Sequence, residues 1–170
     1  MVLVLLALPS AWASVSDARC RVIPNGACAL VALVGLAFQL VRAVAADVVA
    51  TLPVEAGLSR ALPGPGSCCV AAVVVLILGG VGELAVRRVL GRSGVGMGDV
   101  KLCAAWACFL GWLVLPAVAV ACFAGAVCAL ARRQRTFALG PWLAAAFVAL
   151  GTALSWLGSA APNLAALPGA

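Results

Sequence analysis

The chain has 170 residues, of which 66% are hydrophobic and 9% charged, with a net charge of +6; its mean hydropathy is +1.22. A soluble domain of this size needs far more polar surface, and the strands of a membrane barrel would alternate apolar and polar residues where this chain has continuous runs. Both are excluded, which leaves membrane-spanning helices that satisfy their own backbone hydrogen bonds in lipid.

Taken in order, Met1 to Ser16 is an apolar run with Pro9 inside it. Ala11-Trp12-Ala13 imitates a signal-peptidase site. No basic residue precedes the run, however, and cleavage there would leave Asp17 at a free end. A retained first span is the favoured reading, short for a hydrocarbon core that needs about 17–25 helical residues. Asp17 to Asn25 reads D-A-R-C-R-V-I-P-N. Pro24 denies a helix, and Arg19 and Arg21 mark a cytoplasmic loop. Gly26 to Val41 is the second span. Residues 42–66 hold Asp47, Glu55, Arg60 and three prolines and read as an extracytoplasmic loop with a short interfacial helix. Ser67 to Val86 is the third span. Residues 87–101, with Arg87, Arg88, Arg92 and the turn Gly94 to Gly98, form a cytoplasmic loop.

Leu102 to Leu130 reads as one long helix or as a tight pair broken near Pro116. The positive-inside rule favours the pair. It places nine of the eleven basic residues in cytoplasmic segments, leaving only Arg42 and Arg60 outside. Its two helices are short, about 21–24 Å at 1.5 Å per residue. Pro141 to Leu157 is the last span, and the tail from Gly158 ends outside. The expected fold is all-α: one membrane domain over 1–170, with about six transmembrane helices and both ends outside. The basic residues set topology, so no nucleic-acid partner is expected.

Eight cysteines and no histidine bound the chemistry. Ser-His and Cys-His triads and His-based zinc motifs are excluded. No Cys-x-x-Cys pair occurs, and no metal or other cofactor is expected. Cys103, Cys108, Cys122 and Cys128 lie in apolar runs as small packing residues. Cys68 and Cys69 are neighbours whose pairing stays open.

Five acids remain. Asp47 and Glu55 belong to the polar outer loop. Glu83 is four residues before Arg87, which suits a side chain reaching the interface beside that arginine. Asp99 follows Gly96-Met97-Gly98, and its structural reading is a helix N-cap. Two glycines also let a backbone approach closely, as a protease holding an extended peptide requires. Asp17 falls on the same, cytoplasmic, face of a topology derived without either acid. Two carboxylates sharing a proton can hydrolyse a peptide bond with an activated water. With Asp99 at a helix N-terminus, Asp99 is expected to be the readily ionised member and Asp17 the protonated one. Lys101, two residues on, does not face Asp99 along a helix and reads as a headgroup anchor.

These residues resemble the type IV prepilin peptidases, membrane aspartic proteases of the GxGD type. Three blocks carry the likeness: Asp17 through Ile23-Pro24-Asn25; Arg87 to Trp112, with G-M-G-D-V-K-L; and Phe137-Ala138-Leu139-Gly140-Pro141-Trp142-Leu143, which has one extra residue ahead of Gly140. The resemblance implies a catalytic pair of Asp17 and Asp99, with Gly96 and Gly98 beside the substrate backbone and Lys101, Pro24 and Asn25 in support. It implies a prepilin or pseudopilin precursor as substrate, cut after a short basic leader ending in Gly. The site would lie at the cytoplasmic face of the plasma membrane, and a homodimer is compatible with it. Larger members carry an N-terminal region with Cys-x-x-Cys motifs and N-methylate the new terminus; this chain resembles the compact members linked to tight-adherence pili. The competing reading is a non-enzymatic multi-span protein, a transporter subunit or an assembly scaffold. It accounts for the hydropathy but not for the three blocks.

Overall fold

An apolar chain in lipid has to close its own backbone hydrogen bonds, and this one does so with helices. The structure, a computed structural model, describes residues 1–45, 53–91, 96–133 and 138–165. Asp47, Arg92, Gly94, Gln134, Arg135 and Phe137 lie outside the described residues, as does the side chain of Glu55. The helices are α1 (Val2–Cys20), α2 (Asn25–Val44), α3 (Pro53–Ala61), α4 (Pro65–Leu90), α5 (Met97–Leu110), α6 (Val114–Ala131) and α7 (Gly140–Ala165). Five stretches are long and apolar enough to cross a membrane, and one of them, Met97–Ala131, contains both α5 and α6.

That stretch is broken by a single 3-10 turn, Gly111–Leu113. Gly111 ends α5 with φ 59° and ψ −137°, a conformation that glycine alone adopts freely. Pro63 and Cys68 also approach it so closely that a β-carbon would lie 3.1–3.2 Å from them. Pro116 is not the breaker. It sits in the first turn of α6, where the missing N–H costs nothing. The C-terminus of α6 then returns to the end where α1 finishes, so that Arg21 and Arg132 line one recess with Cys128 and Trp142. The fold-back inferred from the arginines is therefore present. It makes six apolar crossing segments, with α3 as a short extra helix.

The observed helices are longer than the sequence reading. α1 runs through Asp17 to Cys20, so the first acid is on a helix and not in a loop. α4 reaches Leu90 and α5 starts at Met97, which shortens the expected 87–101 loop to the link between those helices. α7 continues past Gly158 to Ala165. A tail expected to begin at Gly158 is helical there, and α3 packs on this end of α7. Gly57 permits that contact: a β-carbon would lie 2.7 Å from the Ser155 carbonyl oxygen.

α5 is the axis of the bundle. Ten of its fourteen residues are buried, and it packs on α4 and α2, with lesser contacts to α6 and α7. Its core is aromatic. Trp106 packs on Phe147 with ring centres 5.4 Å apart and tilted by 33°, and meets Phe109 edge-on, while Phe109 lies 5.4 Å from Phe38. The one polar atom of Trp106 is satisfied, Nε1 donating to Ser10 Oγ at 3.1 Å, as a buried indole requires. Two glycines bring neighbours close to α5, Gly35 against Phe109 and Gly79 against Val100.

The end of the bundle remote from Asp17 is held by a polar clamp. Buried Gln39 donates through Nε2 to the Phe109 carbonyl oxygen at 3.0 Å, and Arg42 donates to Gln39 Oε1 and to the carbonyls of Pro63 and Leu62. These donors serve carbonyls that a helix end leaves without intrahelical partners. Cys68 belongs to this clamp, 3.0 Å from Gln39 Nε2. All eight cysteines are free, Cys68 buried and Cys69 exposed.

Candidate active site

The two acids of interest come from the end of one helix and the start of another. Asp17 is in the last turn of α1, which closes when Arg21 takes a left-handed conformation (φ 56°) and returns its N–H to the Asp17 carbonyl at 2.9 Å. The chain then crosses extended through Pro24 (φ −64°, ψ 131°), which caps α2. Asp99 lies in the first turn of α5, but at its third residue. It is not the N-cap expected from the sequence. That position belongs to Gly96, whose carbonyl receives the Asp99 N–H at 2.9 Å.

The three sequence blocks meet at this end. Asp17 Oδ2 accepts the backbone N–H of Gly140, the first residue of α7, at 2.9 Å. Lys101 Nζ donates to Asn25 Oδ1 at 3.0 Å, which joins α5 to the start of α2. The lysine is thus tied to a neighbouring helix, beyond the headgroup role read from its position. Ile23 packs on Gly98 so tightly that a β-carbon there would sit 2.9 Å from Ile23 Cβ. The glycine at 98 is explained by that contact, a close approach within the chain. At Gly96 the nearest atom to an added β-carbon is Asp99 Oδ2, at 3.4 Å, an ordinary contact distance.

Both acids are buried, Asp17 with 7% and Asp99 with 9% of their surface exposed. Two other acids lie within electrostatic reach of Asp99, Asp17 first and Glu83 second. Among the described residues, Asp99 Oδ1 is the one buried side-chain oxygen or nitrogen without a hydrogen-bond partner. Buried polar atoms are nearly always satisfied, so this oxygen is an exception. Asp99 borders an apolar cavity of about 340 Å³ that Glu83, Gly82, Cys103 and Leu143 also line. Among the described residues no cluster of three or more His, Cys, Asp or Glu is placed to hold a metal ion.

A model of the type IV leader peptidase family matches residues 3–130. The chain belongs to that family. The match spans three-quarters of the sequence, including both Asp17 and Asp99, and ends before Gly140. No curated protein and no solved structure matches the chain. Membership makes it a peptidase of the leader-cleaving kind, and its apolar helices make it a multi-pass membrane protein.

Two residues stand beside the aspartates to which the sequence reading gives no place there, Gly140 and Glu83. In the sequence Gly140 is one residue of the third block and carries no role of its own. Its β-carbon would fall 2.8 Å from Asp17 Oδ2 and 3.0 Å from Asp17 Cβ, a contact that no local pattern reveals. Glu83 was read as reaching the interface beside Arg87. The pair is there, Arg87 Nε to Glu83 Oε1 at 2.6 Å, but Glu83 is only 3% exposed and faces the cavity of Asp99.

Gly140→Ala should displace Asp17 and lower leader cleavage about a hundredfold, the scale expected of a misplacement of about 1 Å at a reacting group. Gly64→Ala, where nothing lies within 4 Å of the added carbon, should leave cleavage at the wild-type rate. A precursor-processing assay on membranes with equal amounts of each variant makes the comparison.

Proposed function

We propose that this peptidase is an aspartic endopeptidase that removes the leader of prepilin-like precursors, with Asp17 and Asp99 as its catalytic pair and its site at the cytoplasmic face. One observation carries the reading. Two buried acids, 82 residues apart in sequence, lie within electrostatic reach of each other at the junction of the three motif blocks. The sidedness rests on charge. Arg21, Lys101 and Arg132 belong to the aspartate end, while Arg42 is at the other, hydrogen-bonded to Leu62 and Pro63. The positive-inside rule then puts the aspartates toward the cytoplasm.

The hydrogen bonds favour a division of labour opposite to the one expected from the sequence. Asp17 accepts an amide N–H at the first turn of α7, an environment that suits a carboxylate. Asp99 also stands near a helix N-terminus, but one of its buried oxygens has no donor, which suits the protonated partner. In this scheme ionised Asp17 takes a proton from water as the water oxygen bonds to the scissile carbonyl carbon. Asp99 gives its proton to the carbonyl oxygen. Collapse of the resulting diol breaks the C–N bond. The proton on Asp17 passes to the leaving amine, and a diol proton returns to Asp99. Leader carboxylic acid and mature amine leave with the pair restored, the acid then giving its proton to the amine or to water, and no covalent intermediate forms.

Coexpression with a candidate precursor tests the pair. Asp17→Asn and Asp99→Asn should each abolish processing, and full processing by either variant would remove the dyad. Infrared spectroscopy of the reconstituted peptidase at neutral pH tests the proton. A protonated-carboxyl band should be present in the wild type and vanish in Asp99→Asn. A band that survives in Asp99→Asn and vanishes in Asp17→Asn would reverse the assignment.

A further inference from the structure

Three of the chain's five acids gather at one end of the bundle, and the proposed mechanism uses only two of them. The packing of α4 on α5 places the third, Glu83. These helices run in opposite directions, since Gly111, which closes α5, meets Cys68 in the first turn of α4. Further along α4, a β-carbon at Gly79 would lie 2.7 Å from Val100 Cγ1, so the two helices are in close contact there. Glu83 is one turn beyond Gly79 on the same face of α4, and Asp99 is the residue before Val100. Both acids therefore stand on the same side of that contact, and both line the cavity of about 340 Å³. Asp17 does not border it.

The ion pair of Glu83 is asymmetric. Arg87 Nε reaches Glu83 Oε1 at 2.6 Å with the arginine side chain 49% exposed and the glutamate side chain 1%. A glutamate serving only the interface would extend to water, whereas here the arginine comes inward to it. A buried ion pair is a weak source of stability, because apolar residues of similar volume often serve as well. What this one supplies is a negative charge on the wall that Asp99 faces. We propose, resting on the aspartic-endopeptidase reading, that Glu83 is a positioning residue of the catalytic pair: its charge, held on the cavity wall by Arg87, keeps the shared proton on Asp99 and leaves Asp17 free to act as the base. A nearby like charge disfavours ionisation of a carboxyl group, and the effect grows where water is excluded. Among the other described titratable groups around Asp99, only Asp17, its partner in the pair, is an acid. The rest are the thiols of Cys28 from α2, Cys103 from α5 and Cys122 from α6. α7 brings Leu143 and no charge to the cavity, and Lys101 is bonded to Asn25.

The full chain and its Glu83→Gln variant, reconstituted in phosphatidylcholine vesicles, are compared for precursor processing across pH. Glutamine keeps the size of the side chain and removes its charge. The alkaline limb of the kcat/KM profile, where the pair loses its proton, should move to lower pH by at least about half a pH unit, with about a threefold loss of rate on that limb. Arg88→Gln, which removes an exposed charge one residue past Arg87, should keep the wild-type limb. Infrared titration reads the proton without turnover. The protonated-carboxyl band that Asp99→Asn removes should disappear at lower pH in Glu83→Gln than in the wild type, and a Glu83→Gln chain too slow for rates is judged on that band alone. A band that titrates as in the wild type would overturn the proposal, as would an equal shift in Arg88→Gln. So would a band absent from Glu83→Gln at every pH and present in Asp99→Asn, because Glu83 would then be the protonated acid. A wild-type chain that cuts the precursor and gives one of these results loses only the role of Glu83. A wild-type chain that does not cut, or an Asp99→Asn chain that does, loses the aspartic-endopeptidase reading instead.

Discussion

A carboxylate buried in an apolar bundle has to find a donor, and Asp17 finds one in the backbone of Gly140. Much at this end of the molecule depends on that bond. It ties the end of α1 to the start of α7, across 123 residues of sequence. It needs a glycine, because any side chain at 140 would strike the aspartate. It also leaves Asp17 directed inward, within electrostatic reach of Asp99. Removing an apolar side chain from the bundle would cost packing, whereas losing this donor would leave a buried polar group unsatisfied, which costs about 1–3 kcal/mol, and more when it is charged.

The remaining constraints hold α5 in register with that bond. Ile23 against Gly98 and Asn25 against Lys101 fix the α1–α2 turn on the first turns of α5. Trp106 and Phe109 anchor the helix's middle in the aromatic core, and the Gln39–Arg42 clamp holds its far end. A short helix of fourteen residues, fastened at three levels, presents Asp99 to a mostly apolar cavity that Glu83 also lines. Rigidity of this kind suits the proposed catalytic pair, since positioning supplies a large part of the rate in such a site.

The hydropathy of the chain made the helical class and the number of crossings legible, and the arginines made the fold-back of α5 and α6 legible. Both are signals of composition and charge, which the bilayer enforces. Helix ends were read less well. Asp17 and Gly158 looked like loop residues, yet both are helical, because packing against neighbours extends helices beyond their apolar runs. The acids at 17 and 99 stood out as costly ions near lipid. Gly140 did not, since its need for glycine comes from a side chain on another helix. Glu83 was misread because an i, i+4 arginine fits a surface pair as well as a buried one.

The central claim is that the fold brings Asp17 and Asp99 to a common site. Cysteines at these two positions, in a chain freed of its other eight, measure this in native membranes. A short bis-maleimide should join Asp17→Cys to Asp99→Cys, and the intramolecular link should be detected as a shared peptide after proteolysis. Each single variant should take up only one arm of the reagent. If both thiols react separately and never become joined, the two acids do not share a site, and the account fails.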